Sequence, residues 1–123
     1  MINKKITTSG IELTEKIGEY LDKRISSISK FIPEEEVAQM NIKIGKTTNH
    51  HQNGDIFRAE LDLYHNKAYF RAEAETGDLL SSIDIAKDEL IDEISKAKNK
   101  HMRLFRKGHQ KIKSIIKRLG RGF

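Results

Sequence analysis

Apolar and polar positions recur with two different periods along this 123-residue chain. Over residues 37–47 the alternation places Ala38, Met40, Ile42 and Ile44 on one face. Over 55–65 it does the same for Phe57, Ala59, Leu61 and Leu63, and from residue 68 to Thr76-Gly77 for Ala68, Phe70, Ala72 and Ala74. A period of two is the mark of a strand with one face buried. The polar stretch 48–54, ending in the turn pair Asn53-Gly54, and the tight link Asn66-Lys67 join these runs, so they predict an antiparallel meander. A shorter β-compatible run over residues 2–8 sets Ile2, Lys4, Ile6 and Thr8 on one face and ends at Ser9-Gly10.

Two segments follow the helical period instead. Thr14 is a good N-cap and Glu15 suits the first turn. After them Ile17, Tyr20, Leu21, Arg24, Ile25, Ile28 and Phe31 fall at helical spacing, with Arg24 as the polar interruption. Gly18 weakens this helix by about 1 kcal/mol relative to Ala. Pro33 disfavours a helical residue before it, so the helix is expected to end at Ile32, ahead of the acidic link Glu34 to Glu36. Asp78 opens a second, longer helix with a buried stripe of Leu80, Ile83, Ala86, Leu90, Ile94, Ala97, His101 and Leu104. It is expected to run to about Phe105 and to break at Gly108. A basic amphipathic tail follows, with Ile112, Ile115, Ile116 and Leu119 at helical spacing.

The order β-α-β-β-β-α predicts an α+β fold, a four-stranded sheet with two helices packed on one face. It resembles the double-stranded-RNA-binding-domain type of fold with one extra strand in front. We expect one domain over residues 1–107 and a basic C-terminal tail over 108–123. There are no internal repeats.

Charge changes the picture more than composition does. Up to Ser95 there are 12 Lys plus Arg against 18 Asp plus Glu, a balance of −6; from Lys96 to Phe123 there are 11 Lys plus Arg and no acid, a balance of +11. Such polarity predicts a polyanionic partner. Lys96, Lys100, Arg103 and Lys107, at spacings of four, three and four, line one side of the last helix, and Arg106, Lys111, Lys113, Lys117 and Arg118 extend the block. A helix dipole favours cations only in its last turn, so it does not account for 28 acid-free residues. The tail has an alternative reading as a membrane-surface helix, apolar on one side and basic on the other.

Other chemistries find little support. The chain has no cysteine, hence no disulfide or thiolate metal site. It has neither a signal-peptide pattern nor the roughly 20 apolar residues of a membrane span, so a cytoplasmic location is expected. His50-His51 with Asp55 are awkward ligands for one ion and lack a third partner, so no metal is expected. No Gly-rich phosphate loop occurs. Ser81-Ser82 have no evident base, and Asp84 and Asp88, four apart on one helix face, suit a helix N-terminus as well as a carboxylate pair. No enzymatic activity, cofactor or small-molecule substrate is expected.

Several segments together resemble one family. Gly10-Ile11-Glu12-Leu13-Thr14, Glu19-Tyr20-Leu21-Asp22-Lys23-Arg24 and Lys30-Phe31 are similar to the first helix of the ribosome hibernation-promoting factors, also called ribosome-associated inhibitors or sigma-54 modulation proteins. Arg71-Ala72-Glu73-Ala74-Glu75, Asp78 and Ser82-Ile83-Asp84 are similar to that family's last strand and the start of its last helix, and residues 54–60 resemble a variant of it. The resemblance covers residues 2 to about 104. It implies binding to small-subunit rRNA between head and body, in the mRNA and tRNA path, and inhibition of translation during stress or stationary phase. It also implies basic residues at Lys23, Arg24, Lys30, Lys96, Lys98 and Lys100. The chain departs from the family in Leu79-Leu80 after the aspartate and in Glu89, Asp92 and Ser95, where basic residues are common. Along the last helix the contacts are therefore expected to begin at Lys96. The length resembles the short form of the family, without a second dimerising domain, and with no long heptad pattern a monomer is expected off the ribosome. A general structured-RNA-binding or ribosome-assembly module remains the alternative.

Overall fold

A computed structural model describes residues 1–47 and 54–107, with side chains through residue 100. Two compact units make up the chain, Met1–Glu93 and Ile94–Phe123. The elements are β1 (Ile2–Ser9), α1 (Glu15–Ser29), β2 (Ala38–Thr47), β3 (Ile56–His65), β4 (Ala68–Thr76) and α2 (Leu79–Lys107). The sheet order is β1-β2-β3-β4. β1 runs parallel to β2, which requires the α1 crossover, and β2, β3 and β4 form the antiparallel meander.

The register gathers the apolar residues on one face. Ile42 pairs with Leu61 and Met40 with Leu63, while Ala72 sits opposite Leu61. Met40, Ile42, Ala59 and Leu63 are fully buried, as are Leu21 and Ile28 of α1 and Ala86 and Leu90 of α2. Each buried Leu or Ile contributes about 1.5 to 3 kcal/mol. Both helices cover this face. Lys4, which shares it with Ile2 and Ile6, is ion-paired to Asp22 of α1, and Asp84 of α2 bonds to Tyr20 and Arg24 of α1.

The ends of the elements follow local chemistry. Thr14 Oγ1 accepts the Ile17 amide at 3.2 Å. Asp78 caps α2, its Oδ2 accepting the Ser81 amide at 3.0 Å. Helix α1 stops at Ser29 rather than at Ile32. Its last turns tighten, with the amides of Phe31 and Ile32 donating to the carbonyls of Ile28 and Ser29. The hydroxyls of Ser26, Ser27 and Ser29 each donate to the carbonyl three residues back, which offers the backbone an alternative to helix continuation. In the β3–β4 turn Asn66 takes a φ of 55°, which asparagine tolerates better than most residues. Along α2, Ile94 is buried but Ala97 is exposed, as are all residues from Lys96 to Lys100. The expected stripe thus fails at Ala97, where the sequence turns polar on every side. His101 and Leu104 lie beyond the described side chains, and Asn53, His50, His51 and the whole 108–123 tail lie outside the described residues.

Candidate nucleic-acid interface

The cations singled out from the sequence fall into different environments. Lys23 on α1 and Lys30 at its C-cap are exposed and enter no ion pair among the described residues. They stand seven apart, two helical turns, on the side away from Leu21, Ile25 and Ile28. Lys16, also exposed, stands seven residues earlier on the same line. It was missed because only the apolar period was followed; the i, i+7 recurrence of lysine was the signal available.

Arg24 belongs elsewhere. Its Nε donates to Asp84 Oδ1 at 2.6 Å, and its guanidinium lies 4.1 Å from the centre of the Tyr20 ring. Tyr20 Oη donates to Asp84 Oδ2 at 2.5 Å. The three side chains clamp α1 to α2. The bond to Asp84 raises the pKa of both Tyr20 and Arg24. Burial pushes Asp84 up, but the hydrogen bonds from Tyr20 and Arg24 and the Arg24 charge outweigh it and hold Asp84 below the usual carboxylate range. Arg24 therefore has its charge answered within the fold and does not join the Lys16–Lys23–Lys30 line.

Helix α2 is electrically two-part. Asp88, Glu89, Asp92 and Glu93 are exposed in its first half, and Lys96, Lys98 and Lys100 are exposed after them. The helix continues to Lys107, so positions 96, 100, 103 and 107 share one side, with position 98 on the opposite side and position 106 to one flank. The side chains of Arg103, Arg106 and Lys107 are not among those described, and Lys111, Lys113, Lys117 and Arg118 lie outside the described residues.

The other face of the sheet is polar and uncovered. Its centre carries two carboxylates, Glu60 and Asp62, that are 6% and 5% exposed although they point away from the core. They lie under other side chains. Arg58 and Arg71 reach Glu60 Oε1 at 3.0 and 2.9 Å, and Tyr69 Oη donates to Asp62 at 2.7 Å. Glu73 binds both arginines, and the Arg58 bond foremost lowers its pKa. Tyr64 and Tyr69 stack with ring centres 4.8 Å apart.

The groups weighed as catalytic have structural duties. Asp84 is engaged with α1, while Asp88 binds Lys87 at 2.6 Å, so they form no carboxylate pair. Ser82 is fully buried and its hydroxyl donates to the Phe57 carbonyl. No group of His, Cys, Asp and Glu able to hold a metal ion occurs among the described residues, and no described helix is long and apolar enough to cross a membrane. What the exposed lysines of α1 and α2 can do chemically is attract and hold anions.

The sequence model of the family described as sigma 54 modulation protein / S30EA ribosomal protein matches residues 5–102. Among solved structures, the Protein Y N-terminal domain of Thermus thermophilus superposes with a TM-score of 0.61 at 22% identity, covering 77% of this chain and 96% of that one. A ribosomal subunit interface protein from Coxiella burnetii gives a TM-score of 0.59 at 18% identity, covering 80% of this chain and 99% of that one. At these identities the likeness establishes the β-α-β-β-β-α fold.

Proposed function

Because the chain belongs to the sigma 54 modulation protein / S30EA ribosomal protein family, a ribosome-associated and generally non-enzymatic class, we propose that it binds the small ribosomal subunit in the mRNA–tRNA channel and blocks translation. It acts by occlusion. Its lysine-bearing helices sit on rRNA phosphates, and the bulk of the domain excludes mRNA and tRNA. Affinity comes from phosphate contacts and counterion release. Specificity comes from shape, because structured RNA is read largely through its backbone and form.

The observation that carries this reading is the acid-free run of 11 cations from Lys96, whose first members, Lys96, Lys98 and Lys100, are exposed on α2. Lys16, Lys23 and Lys30 supply a second, shorter line on α1. The protein works as a single copy in the cytoplasm, in cells whose growth has slowed. Sedimentation through a sucrose gradient at low salt tests the proposal: the purified protein is expected with small subunits and whole ribosomes and is expected to inhibit cell-free translation. Protein remaining at the top of the gradient overturns it. Equal affinity for free duplex RNA would assign the chain instead to general structured-RNA binding.

A further inference from the structure

Tyr64 and Tyr69 are 44% and 50% exposed on the outward face of the sheet. The register sets them side by side on β3 and β4 and continues their row across β2 and β1 to Gln39 and Asn3. At about 4.8 Å per strand the row is roughly 14 Å long. Gln39 and Asn3 are exposed as well. One line across the sheet thus offers two aromatic rings and two amides to solvent.

The rings are positioned before anything binds. Their centres are 4.8 Å apart, with the planes 28° from parallel. Tyr69 Oη donates to Asp62 Oδ1 at 2.7 Å, which ties its ring to a buried carboxylate. Tyr64 enters no hydrogen bond through its hydroxyl among the described residues. A cross-strand tyrosine pair also steadies a hairpin, a role that calls for neither exposed amides nor unpaired cations beside it.

Unpaired cations are present. Lys5, two residues along β1 from Asn3, and Lys67, two residues before Tyr69 in the β3–β4 turn, are both exposed. Neither enters an ion pair among the described residues. The acids facing outward from β3 and β4 are answered within the fold: Asp62 by Tyr69 and Arg71, and Glu60, Glu73 and Glu75 by Arg58. The charge left over at this end of the face is therefore positive.

We propose that the Tyr64–Tyr69 pair, with Gln39 and Asn3 in its row and Lys5 and Lys67 at its flanks, is a stacking platform for an unpaired base of single-stranded RNA. The inference rests on the RNA-binding reading above and adds base contacts to its phosphate contacts. Unpaired bases are held by stacking on aromatic rings and by hydrogen bonds to their edges, which amides can supply. Stacking tolerates any sequence, because every base has a π-face. A proline-rich peptide also docks on aromatic surfaces, but the two unpaired lysines favour a polyanion.

The test uses the full chain and no ribosome. In NMR, a short single-stranded RNA is expected to move the ring signals of Tyr64 and Tyr69, and an abasic ribose–phosphate chain of the same length to leave them in place. Equal shifts with the abasic chain would reduce the site to phosphate attraction and overturn the proposal. No shift with RNA would overturn it as well, and shifts with a proline-rich peptide alone would give the surface to a peptide. Tyr64→Leu is expected to weaken RNA binding by about fivefold or more, because the ring is lost. Tyr64→Phe keeps the ring and should stay within about twofold of the wild type. Wild-type affinity in Tyr64→Leu, or equal losses in both variants, would sink the platform. Should Tyr64→Leu fail to fold, the phenylalanine variant and the abasic chain still decide. Ribosome cosedimentation, run separately, decides the function. Ribosome binding without ring shifts leaves the function and removes the platform; ring shifts without ribosome binding do the reverse.

Discussion

The chain up to Ser95 and the chain beyond it are charged oppositely, −6 against +11, and they handle charge differently. In the first region the arginines serve the fold: Arg24 holds Asp84, and Arg58 and Arg71 cover Glu60 and Glu73. The second region, from Lys96 to Phe123, contains no acid of its own. A basic residue is therefore a poor marker of nucleic-acid binding by itself. The acids its fold brings to it decide whether its charge is offered to a partner.

Deleting residues 108–123 should have the largest effect. The β-α-β-β-β-α body is complete before that point, so the truncated protein is expected to melt as a folded domain. If about four of the removed cations meet phosphates, log affinity for ribosomes should become less salt-dependent by about 3 to 4 units per decade of salt. An unchanged slope would remove the tail from the contact surface and would favour vesicle binding as its role. Next in size, replacing Lys96, Lys100 and Arg103 together by Gln should flatten the slope by about 2 to 3. The melting temperature should stay within about 3 °C, as for exposed positions in general.

A pair of adjacent residues sharpens the contrast. Arg24→Gln is expected to lower the denaturant midpoint, because it removes a charge-assisted bond between α1 and α2, and to leave the salt slope unchanged. Lys23→Gln should do the reverse, with stability within about 0.5 kcal/mol and a slope change of about 0.7 to 0.9. Denaturant titrations and salt-dependent binding of the two variants check this. If Arg24→Gln lowers the slope as much as Lys23→Gln, the clamp is not its main role.

The smallest effect is a pH dependence. Asp84 lies below its ordinary value of 3.8 in the folded state, so its contribution is present above that value and is lost as pH falls through the lower folded value. Tyr20 is raised above 10.0, so its contribution is present below pH 10 and is lost as pH rises through the higher value. The clamp should therefore be intact between about pH 5 and pH 9. Asp84→Asn should lose less stability than the wild type on acidification below pH 5, by under about 1 kcal/mol given the exposure of the pair. Parallel acid limbs for the two proteins would dismiss the Asp84 contribution.

Much of the architecture was legible in the residue order. Alternation marked each strand and the inward face of each, because a half-buried strand needs apolar side chains at every second position. Thr14 and Asp78 marked the helix starts, because a short acceptor side chain there answers otherwise unpaired amides. The charge asymmetry needed only counting. The end of α1 was misplaced by three residues because serine hydroxyls compete for its last carbonyls, an effect weaker and more local than the proline used to place it. The stripe of α2 was carried past Ile94 to Ala97 because alanine fits a buried and an exposed position equally well.

What the sequence by itself determined is thus which residues face inward, where the helices begin, and that the last 28 residues carry cations without acids. Tertiary structure alone decided the partners. Arg24 meets Asp84 from 60 residues away, His65 lies 2.6 Å from Glu36 across 29 residues, and Glu60 and Asp62 point outward yet are buried beneath arginines and Tyr69. Periodicity reports the direction in which a side chain leaves its own backbone. Its charge is used according to what other segments bring within a few ångströms, which depends on strand register and on how the helices lie over the sheet.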